Sequence, residues 1–453
     1  MLLALHFALS MQKLVDTYIS APVVRQAHVG VLLTEVSSHR VLAEHDADDA
    51  FTPASNMKLL VGSVAMATLG PSFAYQTHVA IEGDTLYLIG GGDAHLTTAD
   101  LNAAAADVAR ANIMTIDHLV VDASHFDSAR YAPGWSIDDL PYDYAAPVSA
   151  MSLNENTIHI HITPTHHVGE PVALQWAPQT SALTVVNDAR TGPFASADTT
   201  DIRRPWNQPT TLRITGTYPL AAASADDFDA AVPDPVAYAG DVFLTALQQH
   251  GVTVRHGFIA GQTPPNARNV WTHSSSPLAT MLAQMWLPSD NLMAELLLRQ
   301  VGVFGGGEPG SIAKGAQVER HWLQSIGIDP DTVDIADGSG LSIYDRISPR
   351  VLVAILTADW NAPWRSDVLG ALPVAGETGT LRDSYSGTPA AGNIIAKTGT
   401  LKHVRTISGY VRTRTHGMLI FSLLVNDWVE RTPDDAASLR ALDTTFLSAL
   451  ASS

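Results

Sequence analysis

The middle of the chain, from about Ser72 to Asn269, reads differently from both flanks, and this change of character constrains the fold most. Stretches such as Thr85 to Ile89 and Ile158 to Ile162 read as short alternating strands with the two-residue period of half-buried sheet, and turn residues separate them. One helix is expected among them, from about Thr98 to Ala111. Pro264-Pro265 and the run Ser274-Ser275-Ser276-Pro277 punctuate the exit. A chain of 453 residues is also too long for a single ordinary core. The expected class is α/β (α+β): a discontinuous domain over residues 1-70 and 275-453, interrupted by a β-rich insert over 71-274 that holds two nested subdomains.

In the flanks, Leu14, Val15 and Tyr18 give residues Met11 to Tyr18 a helical face, and Pro22 ends it. His28 to Leu33 and Arg40 to Ala43 read as strands around the turn Ser37-Ser38-His39. Phe51-Thr52-Pro53-Ala54-Ser55-Asn56-Met57-Lys58-Leu59-Leu60 begins a helix that stops at Gly70-Pro71. After the insert come helices at Leu278 to Trp286, Asn291 to Val303 and Ser311 to Ile326. Asn393 to Lys397, Ser408 to Arg412 and Met418 to Asn426 read as antiparallel neighbours, and Asp434 to Ala449 as a last helix.

Composition excludes several functions. With 26 basic and 45 acidic residues the net charge is −19, which repels phosphate backbones, and no Lys/Arg cluster offsets it. Nucleic acid is not an expected partner. The absence of cysteine rules out disulfides, thiolate metal sites and a Cys nucleophile. No run of about 18 apolar residues predicts a membrane span. The apolar opening Met1 to Leu9 lacks a basic leader and reads either as the tail of a signal peptide or as the first turn of a helix.

Chemistry enters with Ser55 and Lys58, three apart at a helix start and so on one side of it. A serine hydroxyl needs an adjacent base, and a lysine serves if burial or nearby positive charge lowers its pKa. The spacing alone is weak, because Ser10/Lys13 and Ser311/Lys314 share it. Two further elements strengthen it. Ser289-Asp290-Asn291, between two helical stretches, offers a hydroxyl for proton relay and a carboxamide for a substrate amide. Lys397-Thr398-Gly399, on an apolar strand, offers a cation, a hydroxyl and a glycine along which a ligand backbone can lie. A Ser-x-Asn decoy stands at Ser152-Leu153-Asn154, but with only five lysines in the chain a chance Lys-Thr-Gly is improbable.

This ordered trio is that of β-lactamases and penicillin-binding proteins. The chain resembles the class C low-molecular-mass penicillin-binding proteins, which are D-alanyl-D-alanine carboxypeptidases and endopeptidases. Supporting stretches run along nearly all of it: Thr52 to Leu60, Leu86 to Asp93, Asp337-Gly338-Ser339-Gly340-Leu341-Ser342, Leu372 to Gly376 and Ala396 to Thr400. The resemblance implies a penicillin-binding/β-lactamase-like domain carrying a large insert between Lys58 and Ser289. It implies Ser55 as the acylated nucleophile, Lys58 as its base, Ser289 and Asn291 as relay and amide binder, and Lys397 and Thr398 at the terminal carboxylate. The N–H groups of Ser55 and Thr400 would form the oxyanion hole, with Gly399 beside them. Asp139 and Tyr144 would meet the amine of a diaminopimelate side chain, with Asp138 a close rival to Asp139 and Leu401 lining the same pocket. Peptidoglycan stem peptides are then the expected partners, β-lactams covalent inhibitors, and an extracytoplasmic location follows. No metal or organic cofactor is implied.

Other readings stay open. His159, His161, His166 and His167 read as a solvated strand face rather than a metal site. Gly90-Gly91-Gly92 and Gly305-Gly306-Gly307 lack a phosphate-loop ending, and Ser339 lacks the flanks of a hydrolase elbow. Ser289-Asp290-Asn291 alone reads equally as a helix cap, and Lys397 alone as an edge-strand lysine. A β-lactamase or small-ester hydrolase would need a deacylating carboxylate, for which Glu155 and Glu377 qualify only by type. A non-catalytic cell-wall-binding module is the third alternative. Oligomeric state is not legible.

Overall fold

The computed structural model describes residues 2–221 and 226–453. The chain forms two compact units: Met1–Phe73, Pro277–Gly305 and Ile312–Ser453 make the first, and Ala74–Ser276 with Gly306–Ser311 the second.

The first unit is built on a five-stranded antiparallel sheet in the order Ile394–Leu401, Val404–Arg412, Met418–Asn426, His28–Glu35, Val41–His45. Strand alternation sorts its two faces. Val29, Val31, Leu33, Leu419, Phe421, Leu423 and Val425 join one core with Met11, Val15 and Tyr18 of the helix Leu2–Ile19 and with Leu447 and Leu450 of the helix Asp435–Ser452. A buried polar contact ties the chain ends within that core: Tyr18 donates to Asp443 at 2.7 Å, and Arg405 donates to the same carboxylate. On the opposite face Ser408 accepts from Asn56 at 3.1 Å and Tyr410 donates to the Leu356 carbonyl at 2.7 Å. This face therefore carries the helices Met57–Thr68 and Pro349–Asn361.

The second unit contains a mixed five-stranded sheet, ordered Phe258–Ala260, His118–Asp122, Thr85–Ile89, Gln76–Glu82, Arg268–Ser274. Leu101 and Val108 of the helix Thr98–Arg110 and Tyr238, Phe243 and Leu247 of the helix Pro235–Gln249 share its core. Shorter sheets complete the unit, among them Asp226–Ala231, Thr157–Thr163 and Ala173–Ala177.

The differences from expectation are local. The apolar opening is helical from Leu2 onward, and Met1 lies outside the described residues. Pro235–Gln249 is a helix inside a stretch read as strands. Its Asp234 side chain accepts from the Ala237 N–H at 3.1 Å, with Pro235 at the first helical position. Pro349–Asn361 and Arg365–Ala371 are further helices beyond those expected, and the first has the same start, with Ser348 as cap and Pro349 following. Among the described residues no helix is long and apolar enough to cross a membrane.

Candidate active site

Ser55 lies in a single 3-10 turn, Ala54–Asn56, that feeds directly into the helix Met57–Thr68. Its neighbours hold the turn: Thr406 donates to the Pro53 carbonyl at 2.8 Å and Asn56 donates to Ser408. Ala54 has φ +47°, a left-handed conformation that a side-chain-bearing residue adopts at a cost and that clusters at functional sites. Lys58, one turn on, is fully buried and donates to three acceptors: Ser55 Oγ at 3.0 Å, Asn291 Oδ1 at 2.5 Å and the Ser339 carbonyl at 2.7 Å. Trp286 caps the other side of this turn by donating to the Lys58 carbonyl at 2.9 Å.

The Ser289-Asp290-Asn291 segment divides its labour. Asp290 does cap the helix Asn291–Gly306, accepting from the Met293 N–H at 2.9 Å. Ser289, at φ +70°, and Asn291 each meet one of the two buried lysines. Lys397, also fully buried, donates to Ser289 Oγ at 2.9 Å and to the Thr398 carbonyl at 2.7 Å. Thr398 Oγ1 lies 2.7 Å from Thr380 Oγ1, a partner the sequence did not point to. Gly399 is required for close approach: a Cβ there would stand 2.8 Å from the Ser55 backbone nitrogen and 2.3 Å from Thr406 Oγ1. The strand thus runs against the Ser55 N–H, and Thr400, exposed, follows on it.

Burial decides the electrostatics. Desolvation pushes Lys58 down to about 8, outweighing Asp337, Asp290, Glu295 and Asp345, whose negative charges act in the opposite direction. Lys397 is also pushed well below the usual lysine range, first by burial and then by the charge of Lys58. The pair therefore presents one amine that can accept a proton near neutrality beside a hydroxyl at hydrogen-bond distance, the arrangement of an activated serine.

The remaining candidates fall in both units. In the second unit Tyr144 donates to Asp139 at 3.0 Å and its ring stacks on Tyr142, with centroids 5.4 Å apart. Burial and the Asp139 carboxylate push the Tyr144 phenol up. Leu401 ends the Lys-Thr-Gly strand, half-buried, and Glu377 is exposed. Of the decoys, Ser10 and Lys13 are exposed on the first helix, while Ser152 donates to the Ser149 carbonyl at 2.8 Å. His159 and His161 pair with Asp229 and Asp227 at 2.9 and 2.6 Å on a strand face.

A sequence profile of the D-Ala-D-Ala carboxypeptidase 3 (S13) family matches residues 11–445. The chain belongs to this family. It is 32% identical over 435 residues to a D-alanyl-D-alanine carboxypeptidase from Actinomadura sp. (strain R39), which covers 91% of this chain and 80% of that one. Identity to the D-alanyl-D-alanine carboxypeptidase DacB from Haemophilus influenzae is 24% over 422 residues, 89% of this chain and 86% of that one. The fold matches the crystal structure of penicillin-binding protein 4 (dacB) from Haemophilus influenzae with a TM-score of 0.86 at 23% identity, covering 97% of this chain and 99% of that chain. This S13 chain is accordingly a serine peptidase of the penicillin-binding, β-lactamase-like fold.

Proposed function

We propose that this S13 enzyme removes the terminal D-alanine of peptidoglycan stem peptides, or opens the equivalent cross-bridge, through an acyl-enzyme on Ser55. The observation that carries the assignment of Ser55 is the 3.0 Å contact between its Oγ and the buried amine of Lys58. In this reading Ser55 Oγ attacks the carbonyl carbon of the penultimate D-alanine while its proton passes to neutral Lys58. The oxyanion lies against the N–H groups of Ser55 and Thr400, a preorganised pair that the close approach of Gly399 supports. As the C–N bond breaks, Lys58 returns the proton through Ser289 to the leaving amine, and D-alanine departs. Water then attacks the ester, with Lys58 again taking the proton, and free Ser55 is restored.

Asn291 binds the substrate amide. Lys397 and Thr398 take the terminal carboxylate, whose arrival gives the buried Lys397 the counter-charge it lacks among the groups that shift its pKa. Asp139 and Tyr144 receive the free amine of the third stem residue, with Leu401 contributing apolar contact. A β-lactam opens on Ser55 in the same way, but its amine stays tethered and blocks water. Residues 1-70 with 275-453 form the peptidase domain and 71-274 the specificity-bearing insert, composed of two subdomains. Because peptidoglycan lies outside the cytoplasmic membrane, the enzyme works there.

The test is release of D-alanine from a stem pentapeptide ending in D-Ala-D-Ala and from cross-linked dimers. Release by the wild type and its loss in Ser55→Ala is expected. Folded wild type that cleaves neither substrate overturns the reading, and rapid β-lactam turnover in its place points to a β-lactamase.

A further inference from the structure

Lys58 has three hydrogen-bond partners, one more than a neutral amine has hydrogens to give. A neutral amine has two hydrogens and one lone pair. With Asn291 Oδ1 and the Ser339 carbonyl taking the two hydrogens, the lone pair is left facing Ser55 Oγ. The aim of the base therefore depends on where the Ser339 carbonyl points.

That carbonyl belongs to a buried loop held from two sides. Glu295 Oε1 accepts from the N–H groups of Gly338 and Ser339 at 2.9 and 3.0 Å. Asp337 accepts from the N–H groups of Gly340 and Ser342 at 2.6 and 2.7 Å. Asp345 in turn accepts from the Ala336 and Asp337 N–H groups at 2.7 and 3.2 Å. The loop has no slack: a Cβ on Gly340, at φ +79°, would stand 1.8 Å from the Ala54 carbonyl, and one on Gly338 would stand 2.6 Å from the Ala294 carbonyl. Glu295 is on the helix that presents Asn291, one turn later, so a single helix supports both acceptors of Lys58. Arg299, fully buried one further turn along, donates to Glu295 Oε2 at 3.0 Å. Burial and Asp337 push the Glu295 carboxyl up, and the Arg299 guanidinium and the hydrogen bond from Ser339 oppose them. Both Glu295 oxygens accept only from N–H donors, the bonding pattern of a carboxylate.

We propose that Glu295 and Asp337 are positioning residues for acylation: through the backbone of residues 338–342 they fix the Ser339 carbonyl, and with it the direction in which Lys58 presents its lone pair to Ser55. The proposal rests on Ser55 and Lys58 having the roles given above. Asp337, Asp290, Glu295 and Asp345 face Lys58 with negative charge, and the Lys397 amine, itself lowered by burial and by Lys58, lies near it.

The experiment follows benzylpenicillin acylation of Ser55 against pH for the wild type, E295Q, E295D and D337N, with thermal melts to establish folding. E295Q and D337N each remove a negative charge that favours the Lys58 ammonium, so the acidic limb of their profiles should move to lower pH. E295D keeps the charge but withdraws it by one methylene. It should acylate about a hundredfold more slowly, as a base misplaced by about 1 Å would, with the limb unmoved. D337N, whose carboxamide cannot accept from both the Gly340 and Ser342 N–H groups, should also acylate more slowly above its limb. Folded E295D or folded D337N with the wild-type rate above the limb overturns the proposal, and E295Q separates the effect of charge from that of position. If E295D does not fold, D337N decides alone, and the reverse holds equally. Wild type that takes no penicillin on Ser55 would instead refute the underlying assignment.

Discussion

Both units gather ionisable side chains onto neighbouring elements, under opposite conditions. In the second unit, His159 and His161 stand directly across from Asp229 and Asp227 on paired antiparallel strands, with all four side chains about half exposed. In the first unit Lys58, Lys397, Glu295, Asp337 and Asp345 are all fully buried. The first set obeys ordinary pairing: Asp229 raises the His159 pKa, and His161 lowers that of Asp227. In the second set burial overrides pairing. Four carboxylates act to raise Lys58, yet desolvation still brings it to about 8. The difference teaches that ion pairs alone do not mark reactivity here; a charge taken out of water and then held by fixed hydrogen bonds does.

The predictions test that contrast in descending size. Lys58→Met keeps the bulk of the buried chain and removes the base, so acylation should slow by about 10²- to 10⁴-fold in stopped-flow measurement. A loss under tenfold would assign the proton to another group. The pH profile comes next. Lys58 must be neutral to act, so acylation should level off above about pH 8, the value burial gives the amine, and decline below it. A flat profile from pH 6 to 9 would contradict this. Asp139→Ala should lower kcat/KM about tenfold for peptides with a free side-chain amine, the size of a lost charge-assisted hydrogen bond, and leave N-acetylated peptides unchanged. Equal losses for both would remove Asp139 from amine recognition. Smallest of all, His159→Ala on the solvated face should change stability by no more than about 0.5 kcal/mol in urea titration, with acylation unaltered.

Particular residues explain what could be read in advance. The three motifs were legible because their chemistry resides in side chains: Ser55, Lys58, Ser289, Asn291, Lys397 and Thr398 stand close in space though scattered in sequence. The strands Met418–Asn426 and Thr85–Ile89 were legible from their apolar pattern. The third acceptor of Lys58 was not, because it is a backbone carbonyl, and the identity of the Ser339 side chain says nothing about where that carbonyl points. Glu295 was equally hidden, since a lone carboxylate in an apolar helix carries no mark of burial until the loop at 338–342 closes over it. The helices Pro235–Gln249 and Pro349–Asn361 were not expected, although Asp234-Pro235 and Ser348-Pro349 carry the cap-then-proline signal of a helix start. The first was masked by the strand-like alternation around it.

The most direct test of the central claim is intact-protein mass spectrometry after brief exposure to benzylpenicillin, with wild type and Ser55→Ala side by side. A stable adduct on the wild type that is absent from the variant is the predicted result. An adduct that persists in Ser55→Ala, or folded wild type that neither holds nor turns over the drug, would contradict it.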